Sequence, residues 1–452
     1  MISYALGDAG TGMAANQLGT YLFFFFTCAA GLPAIAAGAL LMGAKVWDAI
    51  NDPAIGWLSD HTRSKWGPRL PWMISAAAPL GISLAAIWWV PPGGMSIKIA
   101  YYVIITILLM TAFTSVNLPF SALATEITEE TSVRTRLNAA RFTGSILSSL
   151  LGLIIAAILL SSGHDNNSYL IMGKLTGTIA TVTTLIACLG LAPFARRARR
   201  PSGNSEPLFK QINRIIKNAL FHKIIYLYLL LWCGLQLMQT AAIIYLQQVA
   251  KVPSGISYWM LIPFQISALI GLQFWSLYSN KFGRIKALSK GGRIWITACL
   301  ITICLPPLSS NFSINIFDNN LLEIIKFALL SLTILTIGFG ASTAYLIPWS
   351  LLPDAIDADP DQPAGIYTAW MVFIQKIGIG ISVCLFGTLL TLSGFKSNIE
   401  CISIANYIEQ PASALMTIRI CMGLIPSLLV ASGIVLMKDW DYKHPKNQAM
   451  NS

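Results

Sequence analysis

The residues best suited to chemistry in this chain are polar side chains inside an otherwise apolar run. Asp48 and Asp52 are four residues apart, so a helix would place both on one face, and Asn51 adds an amide oxygen between them. Such hard oxygen ligands suit a small cation, and two carboxylates held close together favour uptake of a proton or a cation. The pattern predicts a Na⁺ or H⁺ site, with Asp48 and Asp52 as the metal ligands if sodium binds.

The alternative for this stretch is a polar helix end, in which Lys45 is a structural partner of the two carboxylates. Charges inside a membrane helix are costly and usually functional, which favours the cation site.

Four further polar residues lie in other apolar runs. Thr114 and Asn117 precede Pro119, and they either accompany a simple proline kink or contribute to function, with Thr114 completing the cation site and Asn117 facing a substrate. Arg141 opens the next run, where it could extend to the interface or point into a cavity. Lys376 lies deep in its run, so its charge needs a counter-charge or an anionic ligand, and we interpret it as a cavity residue.

These residues must be positioned by membrane-spanning helices, because the composition excludes a soluble protein. Of 452 residues, 55% are hydrophobic and 11% are charged, against about 25% charged in soluble domains. A spanning helix needs about 20 apolar residues, and the chain offers about twelve such runs, which predicts an all-α membrane protein. The runs are 4–29, 33–59, 70–91, 97–124, 139–162, 169–194, 219–249, 256–279, 287–309, 321–348, 364–394 and 410–437.

A long polar interruption divides these runs six and six. It predicts an N-terminal six-helix bundle over 1–195, a cytoplasmic linker over 196–218, a C-terminal six-helix bundle over 219–437 and a cytoplasmic tail over 438–452. Residues 56–67 and 274–284 echo each other as a helix end followed by basic residues and a Gly, which is consistent with a duplicated six-helix unit.

The net charge of +11 is explained by topology. Lys and Arg concentrate in alternate loops, and the positive-inside rule then places both termini in the cytoplasm. The basic segments are 60–69, 125–138, 196–218, 280–290 and the tail. We expect no nucleic-acid partner, because no basic face exists outside these loops.

Enzyme signatures are absent from the sequence. It has no phosphate-binding GxxxxGKS/T loop, no HExxH and no GxSxG, and its eight Cys form no CxxC pair. We therefore expect no enzyme activity and no cofactor other than a coupling ion. A receptor or scaffold is the alternative from another class, but such a protein has no need for charges inside the membrane.

The string Trp47-Asp48-Ala49-Ile50-Asn51-Asp52-Pro53, followed by Gly56 and by Arg63-Ser64-Lys65-Trp66-Gly67, resembles the glycoside-pentoside-hexuronide:cation symporters of the major facilitator superfamily. The resemblance covers nearly the whole chain and implies the fold of that superfamily, with two six-helix bundles. It implies that Asp48, Asn51, Asp52 and Thr114 bind the coupling cation, and that Asn117, Arg141, Tyr345 and Lys376 line the substrate cavity.

The sequence departs from the melibiose-transporting members of that family. Gly12 stands where their first helix has a sugar-binding acid, Asn117 replaces a second acid, and Ser121 replaces an aromatic residue. Residues 116–123 and 345–354 look like the sodium-dependent lysophosphatidylcholine symporters, a branch of the same family.

The expected function is cation-coupled symport of a sugar or glycoside by alternating access, with a lysophospholipid as the alternative substrate. The expected partners are that small molecule and membrane lipids. We expect a monomer in the inner membrane of a bacterium.

Overall fold

In the computed structural model, the described residues are 2–127, 131–162, 166–196, 216–309, 312, 320–359, 364–397, 409–438 and 440. Over these residues, all the regular structure is helical. The first half contains α1 (Ile2–Gly7), α2 (Ala9–Phe24), α3 (Ala34–His61), α4 (Leu70–Ala86), α5 (Met95–Ile127), α6 (Thr131–Ser162) and α7 (Asn166–Ala195). The second half contains α8 (Ala219–Ile244), α9 (Ser254–Ser257), α10 (Leu261–Phe282), α11 (Arg284–Cys304), α12 (Leu321–Asp357), α13 (Ala364–Leu392), α14 (Ala412–Arg419) and α15 (Ile425–Leu436). Short π-helical turns, Phe25–Ala29, Tyr245–Val249 and Ile420–Leu424, extend α2 and α8 and join α14 to α15.

Each of the twelve predicted apolar runs corresponds to a helical segment. Within the described ranges, nine segments are long and apolar enough to cross a membrane by themselves. The other three are the first segment, which is broken between α1 and α2, the α3 helix, which carries Asp48 and Asp52, and the α4 helix, which has 17 residues. The protein is therefore an integral, multi-pass membrane protein.

The chain divides into two compact units. The first unit comprises Met1–Asn204, Pro253–Ile262 and Val383–Ala414, and the second comprises Ser205–Val252, Pro263–Ser382 and Leu415–Ser452. The predicted linker 196–218 and tail 438–452 lie mostly outside the described residues, so these boundaries stay a prediction.

Small residues allow close helix packing in the first unit. A side chain on either Gly81 of α4 or Gly177 of α7 would collide with the backbone carbonyl of the other. Gly10 of α2 packs in the same way on the backbone of Ala180. Close backbone approach of this kind is the main means of helix association in membranes, where the lipid is as apolar as the side chains. These contacts pack α2 and α4 closely against α7.

The same turn occurs at the ends of α2 and α8. In the first copy, Ala30 N donates to Phe25 O at 2.8 Å and Leu32 N donates to Phe26 O at 2.8 Å. In the second copy, the corresponding bonds run from Ala250 N to Tyr245 O at 2.9 Å and from Val252 N to Leu246 O at 2.8 Å. A residue with positive φ and then a proline complete each turn, namely Gly31 (φ 72°) with Pro33 and Lys251 (φ 53°) with Pro253. The repetition supports the predicted duplication of a six-helix unit.

Each unit has an arginine shortly after a glycine with positive φ. Arg69 lies two residues after Gly67 (83°), and Arg284 directly follows Gly283 (96°). Arg69 donates to Glu126 Oε1 through Nε at 2.8 Å and through Nη2 at 2.6 Å, to Ser59 Oγ at 2.5 Å, and pairs with Asp60 at 2.5 Å. It thereby joins the ends of α3, α4 and α5.

The second arginine, Arg284, pairs with Asp354 at 2.7 Å and donates to Ser350 O at 2.6 Å, which joins α11 to α12. Segments 56–67 and 274–284, which echo each other in the sequence, are thus held by arginines at or next to them.

Candidate functional site

The predicted cation residues lie together in the first unit. Asp48, Asn51 and Asp52 occupy successive turns of α3, and Thr114 approaches them from α5. Thr114 Oγ1 lies 3.0 Å from Asp48 Oδ1 and 3.2 Å from Asp52 Oδ1. Asp48 and Thr114 are each 2% exposed, whereas Asp52 is half-buried. The structure therefore brings two carboxylates and a hydroxyl into one cluster.

The Thr114 hydroxyl has two carboxylate neighbours but a single proton. A threonine hydroxyl has one proton to donate, yet Thr114 lies within hydrogen-bond distance of oxygens from both Asp48 and Asp52. Only one of these contacts can be a hydrogen bond from Thr114 at a given moment. The Thr114 hydroxyl is thus shared between two carboxylates, whose oxygens are also able to bind a proton or a small cation. The geometry suits a species that is positively charged and small.

The amide of Asn51 and the prolines next to the site add further ligand capacity. Asn51 is 7% exposed, and its Nδ2 has no hydrogen-bond partner among the described residues. The two ends of an amide are assigned from the hydrogen-bond network, so the orphaned end is equally a carbonyl oxygen available to a cation. Pro53 of α3 and Pro119 of α5 lack N–H groups, so the helical bonds to the carbonyls of Ala49 and Ser115 are missing.

The oxygen atoms of this cluster are hard ligands of the kind that suits an alkali ion or a proton. Over the described residues, no group of three or more His, Cys, Asp or Glu side chains could hold a tightly bound metal. Two carboxylates with neutral oxygens offer hard ligands and few charges, which suits reversible binding.

A second buried polar cluster lies in the same unit, around Asp8. Arg141 Nε of α6 donates to Asp8 Oδ2 at 3.0 Å. Asn117 Nδ2 of α5 and Thr11 Oγ1 of α2 both donate to Asp8 Oδ1, each at 2.8 Å. Asp8 is 5% exposed. The predicted substrate residues Asn117 and Arg141 are thus brought together by a carboxylate that the sequence analysis did not single out.

The helix break explains how Asp8 reaches this position. Asp8 separates α1 from α2 and is the N-cap residue of α2, where the positive end of the helix dipole favours a carboxylate. Gly7 packs against the ring of Phe120, and Gly10 packs on Ala180. Without side chains at these positions, the broken segment can approach α5 and α7.

The same packing fits the glycine at position 12, where the sequence departs from the melibiose-transporting symporters. At Gly12, a side chain would collide with Ser145 Oγ and would lie 3.0 Å from the Ser145 Cα and Cβ atoms. No room exists for a carboxylate there. A different carboxylate, that of Asp8, lies one helical turn earlier. The rule that flagged Asp48, a charge inside an apolar run, could have found Asp8 within run 4–29.

The remaining predicted substrate residues belong to the second unit. Tyr345 of α12 is 37% exposed, and its ring packs edge-on against Trp232 of α8 with 5.2 Å between centroids. Trp349 Nε1, one turn later, donates to Tyr228 OH at 3.2 Å. Lys376 is a half-buried residue of α13. Their predicted grouping with Asn117 and Arg141 stays a prediction.

Apolar spanning helices around buried carboxylates, with a repeated turn in the two halves, define a membrane transport protein of the major facilitator type. The chain belongs to the MFS/sugar transport protein family, whose sequence profile matches residues 3–442. The family membership expected from residues 47–67 is confirmed.

Named relatives agree with this assignment. The chain is 30% identical to the uncharacterized symporter sll1374 of Synechocystis sp., over 96% of this chain and 92% of the relative. It is 22% identical to the sodium-dependent lysophosphatidylcholine symporter 1 of Gallus gallus, over 97% of this chain and 85% of the relative.

Solved structures confirm the predicted fold. The nucleoside transporter NupG matches with a TM-score of 0.66 at 11% identity, over 98% of this chain and 99% of that one. The D-xylose-proton symporter matches with a TM-score of 0.65 at 13% identity, over 97% of each chain.

Proposed function

We propose that the protein is a secondary transporter that moves a sugar or glycoside together with Na⁺ or H⁺. The observation that carries the proposal is the Thr114 hydroxyl, placed between one oxygen of Asp48 and one of Asp52 with a single proton for both contacts. Asp48, Asn51, Asp52 and Thr114 bind the cation. No covalent step and no cofactor is involved, so the protein is not an enzyme.

Coupling follows from the charge of the empty cation site. Two carboxylates within a membrane helix are costly to carry through a conformational change unless a positive charge compensates them. Binding of the cation lowers this cost, and the transporter then exchanges between inward-facing and outward-facing states when fully loaded. Uptake of substrate is thereby tied to the cation gradient.

A sugar suits the polar residues of the first unit. The Asp8 carboxylate accepts hydrogen bonds, and Arg141 donates them, which is the combination that a sugar hydroxyl, both donor and acceptor, can use. Tyr345 adds an exposed aromatic face in the second unit. We assign substrate-binding roles to Asn117 and Arg141 of the first unit, with Asp8 added, and to Tyr345 and Lys376 of the second unit.

A lysophospholipid is the second candidate substrate. It is favoured by the similarity, over 97% of this chain, to a relative named as a lysophosphatidylcholine symporter. It is disfavoured by the Asp8–Arg141 pair, in which the Asp8 carboxylate already compensates the positive charge that would attract a phosphate.

The proposed setting is the inner membrane of a bacterium, with both termini in the cytoplasm and a monomer as the working unit. It rests on the alternation of basic and non-basic loops along the sequence.

The test is thermal stabilisation of the purified full-length protein by a panel of sugars and by lysophosphatidylcholine, with Na⁺ or with choline as the cation, and at two pH values. We expect Na⁺ or acid to raise the melting temperature and to strengthen binding of a sugar by at least about tenfold. In Asp52→Asn this cation effect should disappear, while Glu323→Gln, remote in sequence from the site, should retain it. Absence of any cation effect in the wild-type protein would overturn the proposal, and a response to lysophosphatidylcholine alone would transfer the assignment to the lipid.

A further inference from the structure

We infer that Asp8 makes the substrate site selective for uncharged molecules, because its carboxylate compensates the charge of Arg141. This inference rests on the proposed function, and it assigns the substrate class more narrowly, to neutral sugars and glycosides as opposed to sugar acids or phosphates.

The first step is the state of Asp8. Its carboxylate receives hydrogen bonds from Arg141 Nε at 3.0 Å, Asn117 Nδ2 at 2.8 Å and Thr11 Oγ1 at 2.8 Å. Three converging donors, one of them charged, match the acceptor capacity of an ionised carboxylate. The side chain of Asp8 is 7% exposed, so water contributes little to its solvation. Asp8 is therefore a fixed negative charge that the protein itself solvates.

The second step is the part of Arg141 that remains available. Asp8 is bonded through Nε, and over the described residues no hydrogen bond is recorded from the two terminal nitrogens of the guanidinium. Phe120 and Phe142 flank the group, with ring centroids 5.7 and 5.9 Å from Cζ. The side chain is 18% exposed. Arg141 is thus held by its partner and its flanking rings, while its terminal nitrogens can still donate to a ligand.

The third step is the effect on ligand charge. An anion bound to the terminal nitrogens of Arg141 would lie close to the Asp8 carboxylate, and like charges at short distance in a buried site repel strongly. A neutral hydroxyl takes the same hydrogen bonds without this repulsion and can also donate to Asp8. The Asp8 carboxylate therefore excludes anionic ligands by charge repulsion. Repulsion of this kind gives specificity where attraction to the preferred ligand alone is insufficient.

Asn117 supports this arrangement. Its amide nitrogen donates to Asp8 and lies 3.4 Å from Thr11 Oγ1. An aspartate at this position would face Asp8 with a second negative charge, and Arg141 could not compensate both. The amide in place of the acid is thus consistent with a single carboxylate balanced by a single guanidinium.

The experiment compares paired ligands on the full-length protein in detergent, in Na⁺ buffer. The neutral members are D-glucose, D-galactose and their methyl glycosides, and the acidic members are D-glucuronate and D-galacturonate. Inorganic phosphate is the sugar-free anion probe. We expect wild-type protein to bind a neutral member at least about tenfold more tightly than its acid, with no stabilisation by phosphate. In Asp8→Asn the preference should shrink by about tenfold or more, and phosphate should now stabilise the protein.

The double variant Asp8→Asn/Arg141→Gln is the matched control, because phosphate stabilisation should disappear when the uncompensated guanidinium is removed. Equal or tighter binding of an acid or of phosphate by the wild-type protein overturns the inference, and this comparison needs no variant to fold. An unchanged ligand preference in folded Asp8→Asn overturns it too. Failure of the proposed function would be seen in a different result, the absence of any Na⁺ or acid effect. The phosphate comparison requires neither coupling nor a known sugar, so the two failures can be distinguished.

Discussion

Thr114 and Asn117 lie one helical turn apart on α5, and they contact different carboxylates. Thr114 reaches Asp48 and Asp52 of α3, whereas Asn117 reaches Asp8 at the break between α1 and α2. A single turn of α5 therefore touches both the candidate cation site and the candidate substrate site. A displacement of this turn changes the two sites together, which provides a short physical route for coupling.

The hydroxyl of Thr114 should matter more than its shape. Thr114→Val keeps the volume and removes the hydroxyl, so we expect cation affinity to fall by about tenfold, the cost of one ligand to a charged group. Thr114→Ser keeps the oxygen and should stay within about threefold of wild type. Cation titrations of melting temperature provide the measurement, and equal behaviour of the Val and Ser variants would exclude the hydroxyl as a ligand.

Loss of Arg69 should destabilise the protein in a pH-dependent way. Burial raises the pKa of the Glu126 carboxyl above its ordinary value, and Arg69 opposes this rise. A raised folded-state pKa gives stability that is present at low pH and lost as the pH rises through that pKa. In Arg69→Gln the opposing charge is gone and the pKa rises further. We expect a loss of about 3 kcal/mol near pH 8 and a smaller loss near pH 5.

The measurement for Arg69 is the melting temperature of the detergent-solubilised protein at both pH values. Adding Glu126→Gln to Arg69→Gln removes the titrating group and should abolish the difference between the two. A pH-independent loss in Arg69→Gln alone would contradict the assignment of the effect to Glu126.

The backbone of Lys251 should be strained. Its φ of 53° lies in the left-handed region, and Lys251 is the one described non-glycine residue with positive φ. Lys251→Gly and Lys251→Ala both remove the side chain, but only glycine removes the steric cost. We expect the glycine variant to be more stable than the alanine variant by about 1 kcal/mol. The matching change Gly31→Ala in the first copy of the turn should cost a similar amount. Thermal unfolding of the three variants is the measurement, and equal stability of the glycine and alanine variants of Lys251 would contradict the prediction.

Gly12 should tolerate no side chain. Its Cβ would collide with Ser145, so Gly12→Ala should cost about 1–3 kcal/mol through overpacking. Gly43 of α3 is the control, since a Cβ there meets nothing within 4 Å, and Gly43→Ala should be neutral or stabilising by about 0.5–1 kcal/mol. Comparable melting temperatures for the two variants would show that α2 and α6 can separate without cost.

Local spacing allowed the grouping of Asp48 and Asp52 to be predicted from the sequence. The interval between Asp48 and Asp52 fixes a shared helical face whatever the tertiary structure, and the positions of the apolar runs fix the twelve helical segments. Thr114 could be assigned to this group only through the family resemblance, because a contact between α3 and α5 has no sequence pattern in either helix alone.

The ion pair of Arg141 with Asp8 could not be predicted in this way. Whether Arg141 extends to the interface or points into a cavity depends on Asp8, which is remote in sequence. The position of Asp8 in turn depends on glycines at which neighbouring helices make close contact, and packing of this kind leaves no periodic pattern to detect.

The ion pair between Asp8 and Arg141 also has a consequence for how the protein is made. The two residues are 133 positions apart, so Asp8 is synthesised long before its partner. An unpaired aspartate within a membrane segment is costly, and no positive charge from α6 exists while α1 and α2 emerge. The first segment therefore gains its full stability only after α6 has been inserted. Assembly of the N-terminal half is accordingly a collective event, in which the first membrane segment depends on the fifth.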